Sequence, residues 1–127
     1  MNGLKMLNQD IGLLVFRVSI GLLMIFPHGF SKAVSFGDKM DVFPDPIGFG
    51  SPVALALTIF SEVICSLMII LGIKTRIFAT PLFITMLVAA FHIHASDPWN
   101  VKEKAILFGV AYLTLIITGG GKYSVRD

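Results

Sequence analysis

Charge is what this chain has least of. Only 14% of its 127 residues are Asp, Glu, Lys or Arg, 55% are hydrophobic, and the mean hydropathy is +0.84. An ordinary soluble domain carries about 25% charged residues. A chain this short cannot hide so much apolar surface in one water-facing core. Lipid is therefore the expected solvent, and a single domain over residues 1–127 is the default. A net charge of +2, dispersed along the chain, leaves no nucleic-acid footprint. One cysteine, Cys65, excludes an intrachain disulfide framework. Cys-x-x-Cys, P-loop and Rossmann fingerprints are all missing, so chemistry built on those motifs is not expected.

Long apolar runs are what the chain does have. They cover about 11–30, 52–73, 77–95 and 105–118, each near the roughly 20 residues a helix needs to cross hydrocarbon. The last is short but can borrow a turn from Val101-Lys102-Glu103-Lys104. The first carries Arg17 and lacks an A-x-A-like site, which argues for a retained helix over a cleaved signal. The pattern predicts an all-α, integral membrane, four-helix transmembrane bundle with both termini on one side. Lys5, Lys74, Arg76, Lys122 and Arg126 would then face Lys32, Lys39, Lys102 and Lys104 across the membrane, a narrow positive-inside vote for cytoplasmic termini.

Polar groups inside such runs are costly and normally face the bundle interior. Arg17, Gly21, His28 and Lys32 fall within about 60° of one another on a helix. Thr58, Glu62, Cys65 and Ser66 form a second stripe, and Thr85 with His92 a third. At about 1.5 Å per residue, Arg17 lies roughly 10 Å and Glu62 roughly 15 Å from the terminal side. His28 and His92 lie roughly 24–27 Å in, beneath a rim of Lys32, Glu103 and Lys104. An Arg17–Glu62 pair is expected from these depths. Each residue also has a structural reading: a register-fixing ion pair for Arg17 and Glu62, a helix-end cap for His28, packing for His92 and Cys65, a solvated helix start for Lys102-Glu103-Lys104.

The stretch AAFHIHASDPW, residues 89–99, closes the third run. On a continuous helix His92 and His94 point about 200° apart, so His-x-His is a weak metal signal and no metal is expected. The face shared with Thr85 nominates His92 as the inward residue. His94 is expected at the fraying helix end, since proline disfavours helix at the residue before it.

At these residues the chain resembles the DoxX family of small bacterial membrane proteins. The elements are Arg17-x3-Gly21-x6-His28-Gly29-x2-Lys32, Glu62, Gly72-x2-Thr75-Arg76, the histidine closing the third run, Glu103-Lys104-Ala105, and Gly119-x-Gly121-x-Tyr123-Ser124 with Asp127. Gly120 stands where the family often has proline. The resemblance implies a four-helix protein of the bacterial cytoplasmic (inner) membrane, akin to membrane subunits of thiosulfate:quinone oxidoreductase. On that reading His28, Glu62 and His92 are the candidate catalytic groups, and Arg17, Lys32, Glu103 and Lys104 the candidate ligand-binding groups. The cofactor it suggests is a quinone. Expected partners are the lipid bilayer, a separate redox subunit that supplies electrons, and, in a homo-oligomer, further copies of the chain. A transport or channel module and a membrane scaffold are the competing readings of the same residues, so the sequence leaves open whether the protein is an enzyme.

Overall fold

A computed structural model describes residues 3–127, without the side chains of residues 3, 4 and 6; residues 1 and 2 of the expected domain lie outside it. Among the described residues five helices follow one another: α1 (3–34), the short α2 (Phe36–Lys39), α3 (Ser51–Leu71), α4 (Thr75–Ile93) and α5 (Trp99–Thr118). Among the described residues no strand forms, only an isolated bridge between Ile73 and Arg126. Leu7–Val34, Ser51–Leu71 and Thr75–Ile93 are long and apolar enough to cross a membrane. α5 matches them in length but carries Lys102, Glu103 and Lys104 near its start.

The first helix runs on past Pro27-His28-Gly29, so His28 and Lys32 share it with Arg17. It continues through a π turn, Ile25–Phe30, to Val34. Proline lacks the N–H that an α-helix would use there, and the wider turn accommodates that gap. α3 ends in a Schellman cap: Gly72, at φ 75°, donates to Ile69 O at 3.1 Å while Ile73 N–H reaches Met68 O at 2.9 Å. Glycine suits that left-handed position because it has no Cβ to clash.

The core draws on all four long helices: Met24, Cys65, Ile69, Ala79, Leu82, Met86, Tyr112 and Leu115. Large apolar side chains cover the outside as well, among them Val15, Leu23, Ile84 and Ile117, each more than half exposed. Apolar surface on both sides suits helices solvated by lipid. α1 and α3 approach closely because Gly21 and Gly29 face α3; a Cβ on Gly29 would stand 2.7 Å from Val63 Cγ2 and 3.0 Å from the Glu62 backbone carbon.

Residues 119–127 fold back over the end where α3 turns into α4. Val125 N–H and Arg126 N–H donate to Leu71 O and Gly72 O, and Lys74 N–H donates to Arg126 O at 3.0 Å. Lys122 N–H donates to Asp10 Oδ1 at 3.0 Å. The start of α1 and the tail therefore share one end of the bundle.

Candidate functional site

All three membrane-length helices contain a π turn, and each π turn holds a polar residue singled out above: His28 in Ile25–Phe30, Glu62 in Phe60–Cys65, His92 in Ala89–Ile93. Such insertions are rare and recur at functional sites because they redirect side chains that a regular helix would align.

Glu62 is buried. Its Oε1 accepts a hydrogen bond from Lys32 Nζ at 2.7 Å, with side-chain exposures of 5% and 22% for acid and amine. The expected Arg17–Glu62 pair is thus absent and the acid pairs with Lys32. Gly29 makes this pairing feasible, since it lets the Lys32 end of α1 lie against the Glu62 turn.

Arg17, only 1% exposed, turns to the tail. Its Nη1 donates to Gly120 O at 2.8 Å and to Ser124 Oγ at 2.9 Å, and Nη2 donates to Tyr123 O at 3.0 Å. Asp127 completes the clasp: Oδ1 accepts from Thr75 N–H at 3.1 Å and Oδ2 from Gly120 N–H at 2.9 Å. Proline at position 120 could not make that second bond. Burial works against ionisation of Asp127, but the N–H groups of Gly120 and Thr75 and the charge of Arg76 outweigh it and hold the carboxyl below its usual range.

Beside the Lys32–Glu62 pair lies a cavity of about 470 Å³ between α3 and α4, closed at one end by the loop bearing Phe43, Pro44, Pro46 and Ile47. Asp45 shapes that loop by accepting from Gly48 N–H at 3.0 Å and Gly50 N–H at 2.6 Å. Apolar side chains dominate the walls, so the cavity is less polar than the stripes suggested. Leu57 and Ile84 line it while remaining 51% and 54% exposed, so it borders the outer surface of the bundle. Thr58 and Thr85 also line it, but each hydroxyl donates to a backbone carbonyl of its own helix, Ala54 O and Pro81 O.

The histidines depart from expectation. His94 lines the cavity, whereas His92 is exposed and takes no part in it. The cause is the π turn at the end of α4: His94 N–H donates to Ala89 O at 3.0 Å, five residues back, so the extra residue rotates the face that Thr85 begins. His94 Nδ1 also lies 2.7 Å from Asp97 Oδ2. His28 sits against α5, its ring edge-on to Phe108 at 5.7 Å, and does not line the cavity. Glu103 is exposed in a shallow depression with Trp99, Ile106 and Leu107, and Lys104 is exposed nearby. Of the seven residues nominated from sequence, Lys32 and Glu62 meet at the cavity, while Arg17, His28, His92, Glu103 and Lys104 lie elsewhere. An unbroken helix would turn His94 away from this face; the π turn brings it in.

An all-helical membrane protein with a buried acid–amine pair beside a ligand-sized apolar cavity is the class that fold and site define. The chain belongs to the DoxX family, whose pattern matches residues 12–95, from α1 through the end of α4. A Haemophilus influenzae protein described as uncharacterized is 32% identical over 95 residues, covering 71% of this chain and 63% of the relative. The chain thus spans less than two thirds of that relative's length. No solved structure matches the chain.

Proposed function

We propose that the chain forms a single four-helix domain in a bacterial cytoplasmic membrane and binds a quinone, or a similar lipophilic carbonyl compound, in the cavity between α3 and α4, beside a separate redox subunit. The supporting observation is the cavity itself: about 470 Å³, apolar-walled, bordering the lipid-facing surface, with a buried ammonium–carboxylate pair at its wall. Ligand pockets commonly enclose about 300–1,000 Å³ with a few polar groups among apolar walls. In this reading α5 is the fourth span, with Lys102, Glu103 and Lys104 at the membrane boundary.

The residues fit such a ligand in kind. Thr58 and Thr85 have spent their donors on carbonyls, so the polar groups left for a ligand are Lys32 and His94. Lys32 has three N–H groups and uses one on Glu62. The Asp97 carboxylate accepts from His94 Nδ1–H, which leaves Nε2 as an acceptor in the neutral ring and a donor in the charged one. The cavity can therefore meet a carbonyl oxygen with Lys32 and a hydroxyl with His94. A bound quinone supplies a two-electron, two-proton couple; this chain holds it, excludes water and keeps Glu62 as the nearest acid.

Mass spectrometry of lipids co-purifying in mild detergent tests the reading. An isoprenoid quinone should accompany the wild type, fall with Lys32→Met and His94→Ala, and be unaffected by His92→Ala. Wild-type preparations that retain no such compound, or retention that Lys32→Met leaves unchanged, would remove the ligand from the account.

A further inference from the structure

Next to the acid of the cavity, α3 and α5 bring two hydroxyls together in the bundle interior. Ser66 follows Glu62 by one helical turn, and both it and Tyr112 are fully buried, at 0% exposure. The two hydroxyls are close enough to interact but fall short of hydrogen-bond geometry with each other, and Glu62 lies within electrostatic range of Tyr112. Neither residue lines the cavity. Yet neither Ser66 Oγ nor Tyr112 Oη completes a hydrogen bond with any protein atom.

That arrangement is costly in a low-dielectric interior, where buried hydroxyls almost always find partners. Other hydroxyls in these helices avoid the cost by donating back along their own backbone, as Thr58, Thr80, Thr85 and Thr114 do. Tyr112 has no such recourse. Its ring stacks on Phe108 at 6.1 Å, and Phe108 is braced by the edge of His28, so the phenol is held pointing where it is. Glu62 has an unused acceptor as well: Lys32 engages Oε1, leaving Oε2 for another donor.

We propose that Ser66 Oγ, Tyr112 Oη and the Glu62 carboxylate bind one internal water, and that Ser66 and Tyr112 are thereby positioning residues for the acid of the cavity. A buried water typically makes about three hydrogen bonds, and these three groups supply that number. The water accepts from Tyr112 O–H, donates to Glu62, and exchanges a bond with Ser66. Glu62 is then held from two sides, by Lys32 and by the water, and can exchange a proton with the water while staying in place. The inference rests on Glu62 being the acid that faces the cavity ligand, but the water site itself needs no ligand.

Infrared spectra of the full chain in detergent, recorded in H₂¹⁶O and H₂¹⁸O, test it. The wild type should show an isotope-sensitive O–H band that is lost in both Tyr112→Phe and Ser66→Ala. The carboxyl stretch of Glu62, identified by its loss in Glu62→Gln, should shift in both hydroxyl variants, and both should melt below the wild type. The opposite sign overturns the proposal. A dry, unpaired hydroxyl is a liability, so its removal would leave melting unchanged or raise it, and no isotope-sensitive band would depend on both residues. Ser66→Ala carries the test alone if Tyr112→Phe cannot be purified. Quinone retention measured on the same preparations separates the two ideas: a water band without retained quinone refutes the ligand and keeps the water site, and the reverse result does the opposite.

Discussion

Arg17 is among the largest fully buried side chains of the described residues, and replacing it with leucine tests what the tail does. Its guanidinium makes three hydrogen bonds to the tail. At about 1.5–3 kcal/mol for a bond to a charged group, they set a ceiling of roughly 5–9 kcal/mol. The true cost is smaller. Tyr123 is 39% exposed, so water can replace the donor to its carbonyl, and Ser124 Oγ keeps its own bond to Gly121 O. What remains is the buried Gly120 carbonyl left without its donor, set against relief from burying a charge, or about 2–4 kcal/mol. Arg17→Lys should recover only part of this, because an ammonium cannot reproduce the planar fork that spans Gly120 and Tyr123. Two assays report the effect. Detergent melting gives the stability change, and trypsin cleavage after Lys122 reports release of the tail, whose backbone is tied down beside Asp10. If Arg17→Leu melts like the wild type and Lys122 stays uncut, the clasp does not hold the tail and the reasoning is wrong.

The Lys32–Glu62 pair should respond unequally to its two halves. Lys32→Met strands the more buried charge and should cost about 3 kcal/mol, while Glu62→Gln leaves a lysine free to snorkel outward and should cost about 1 kcal/mol; a double variant melting below Lys32→Met would contradict this. Gly29→Ala forces α1 away from Val63 and the Glu62 backbone and should cost about 1–3 kcal/mol. Val63→Ala should relieve it only in part, because the backbone contact persists; full rescue in detergent melting would show that the close approach is not needed. Asp127 has a folded-state pKa below its usual value, so its stabilisation is fully present above the unfolded pKa of about 3.9 and lost as pH falls further through the folded value. Melting should therefore show an acid-dependent step below about pH 4 in the wild type that is missing in Asp127→Asn; an unchanged step would assign it to another group.

The helices were legible because each is announced by a long apolar run, and periodicity was not needed to find them. The buried stripe of Glu62, Cys65 and Ser66 was legible for the same reason that it formed: polar groups in an apolar helix seek its interior face. Arg17's partners were not legible. Two of them are backbone carbonyls, which no side-chain pattern announces, and they reach Arg17 only because a glycine-rich tail folds back into the bundle. His94 was hidden by register. Its inward turn depends on one five-residue hydrogen bond to Ala89, and of the three π turns only the first, at Pro27, advertises itself in the sequence.

The two ends of the bundle solve opposite problems. At the tail end most polar groups, Arg17 Nε and Thr75 Oγ1 excepted, are engaged by fixed backbone geometry: a Schellman cap at Gly72, the Arg17 and Asp127 contacts, and Lys74 held at φ 48°, an uncommon value for a residue other than glycine, by its bond to Arg126 O. That network ties α1, α3, α4 and the end of α5 together, so their relative positions are set there. The cavity end is built instead from helices that widen. Glu62 and His94 reach the cavity through π turns, and Lys32 reaches it two residues beyond the first widened segment, Ile25–Phe30. A regular α-helix would have aimed His92 inward and left His94 outside. The extra residue in each turn gives up some regular helical bonding, and a bundle already pinned at its other end can bear that loss locally. Rigidity at the clasp is therefore what allows irregularity at the cavity, and the irregularity is what sets which polar side chains a ligand entering from the lipid would meet.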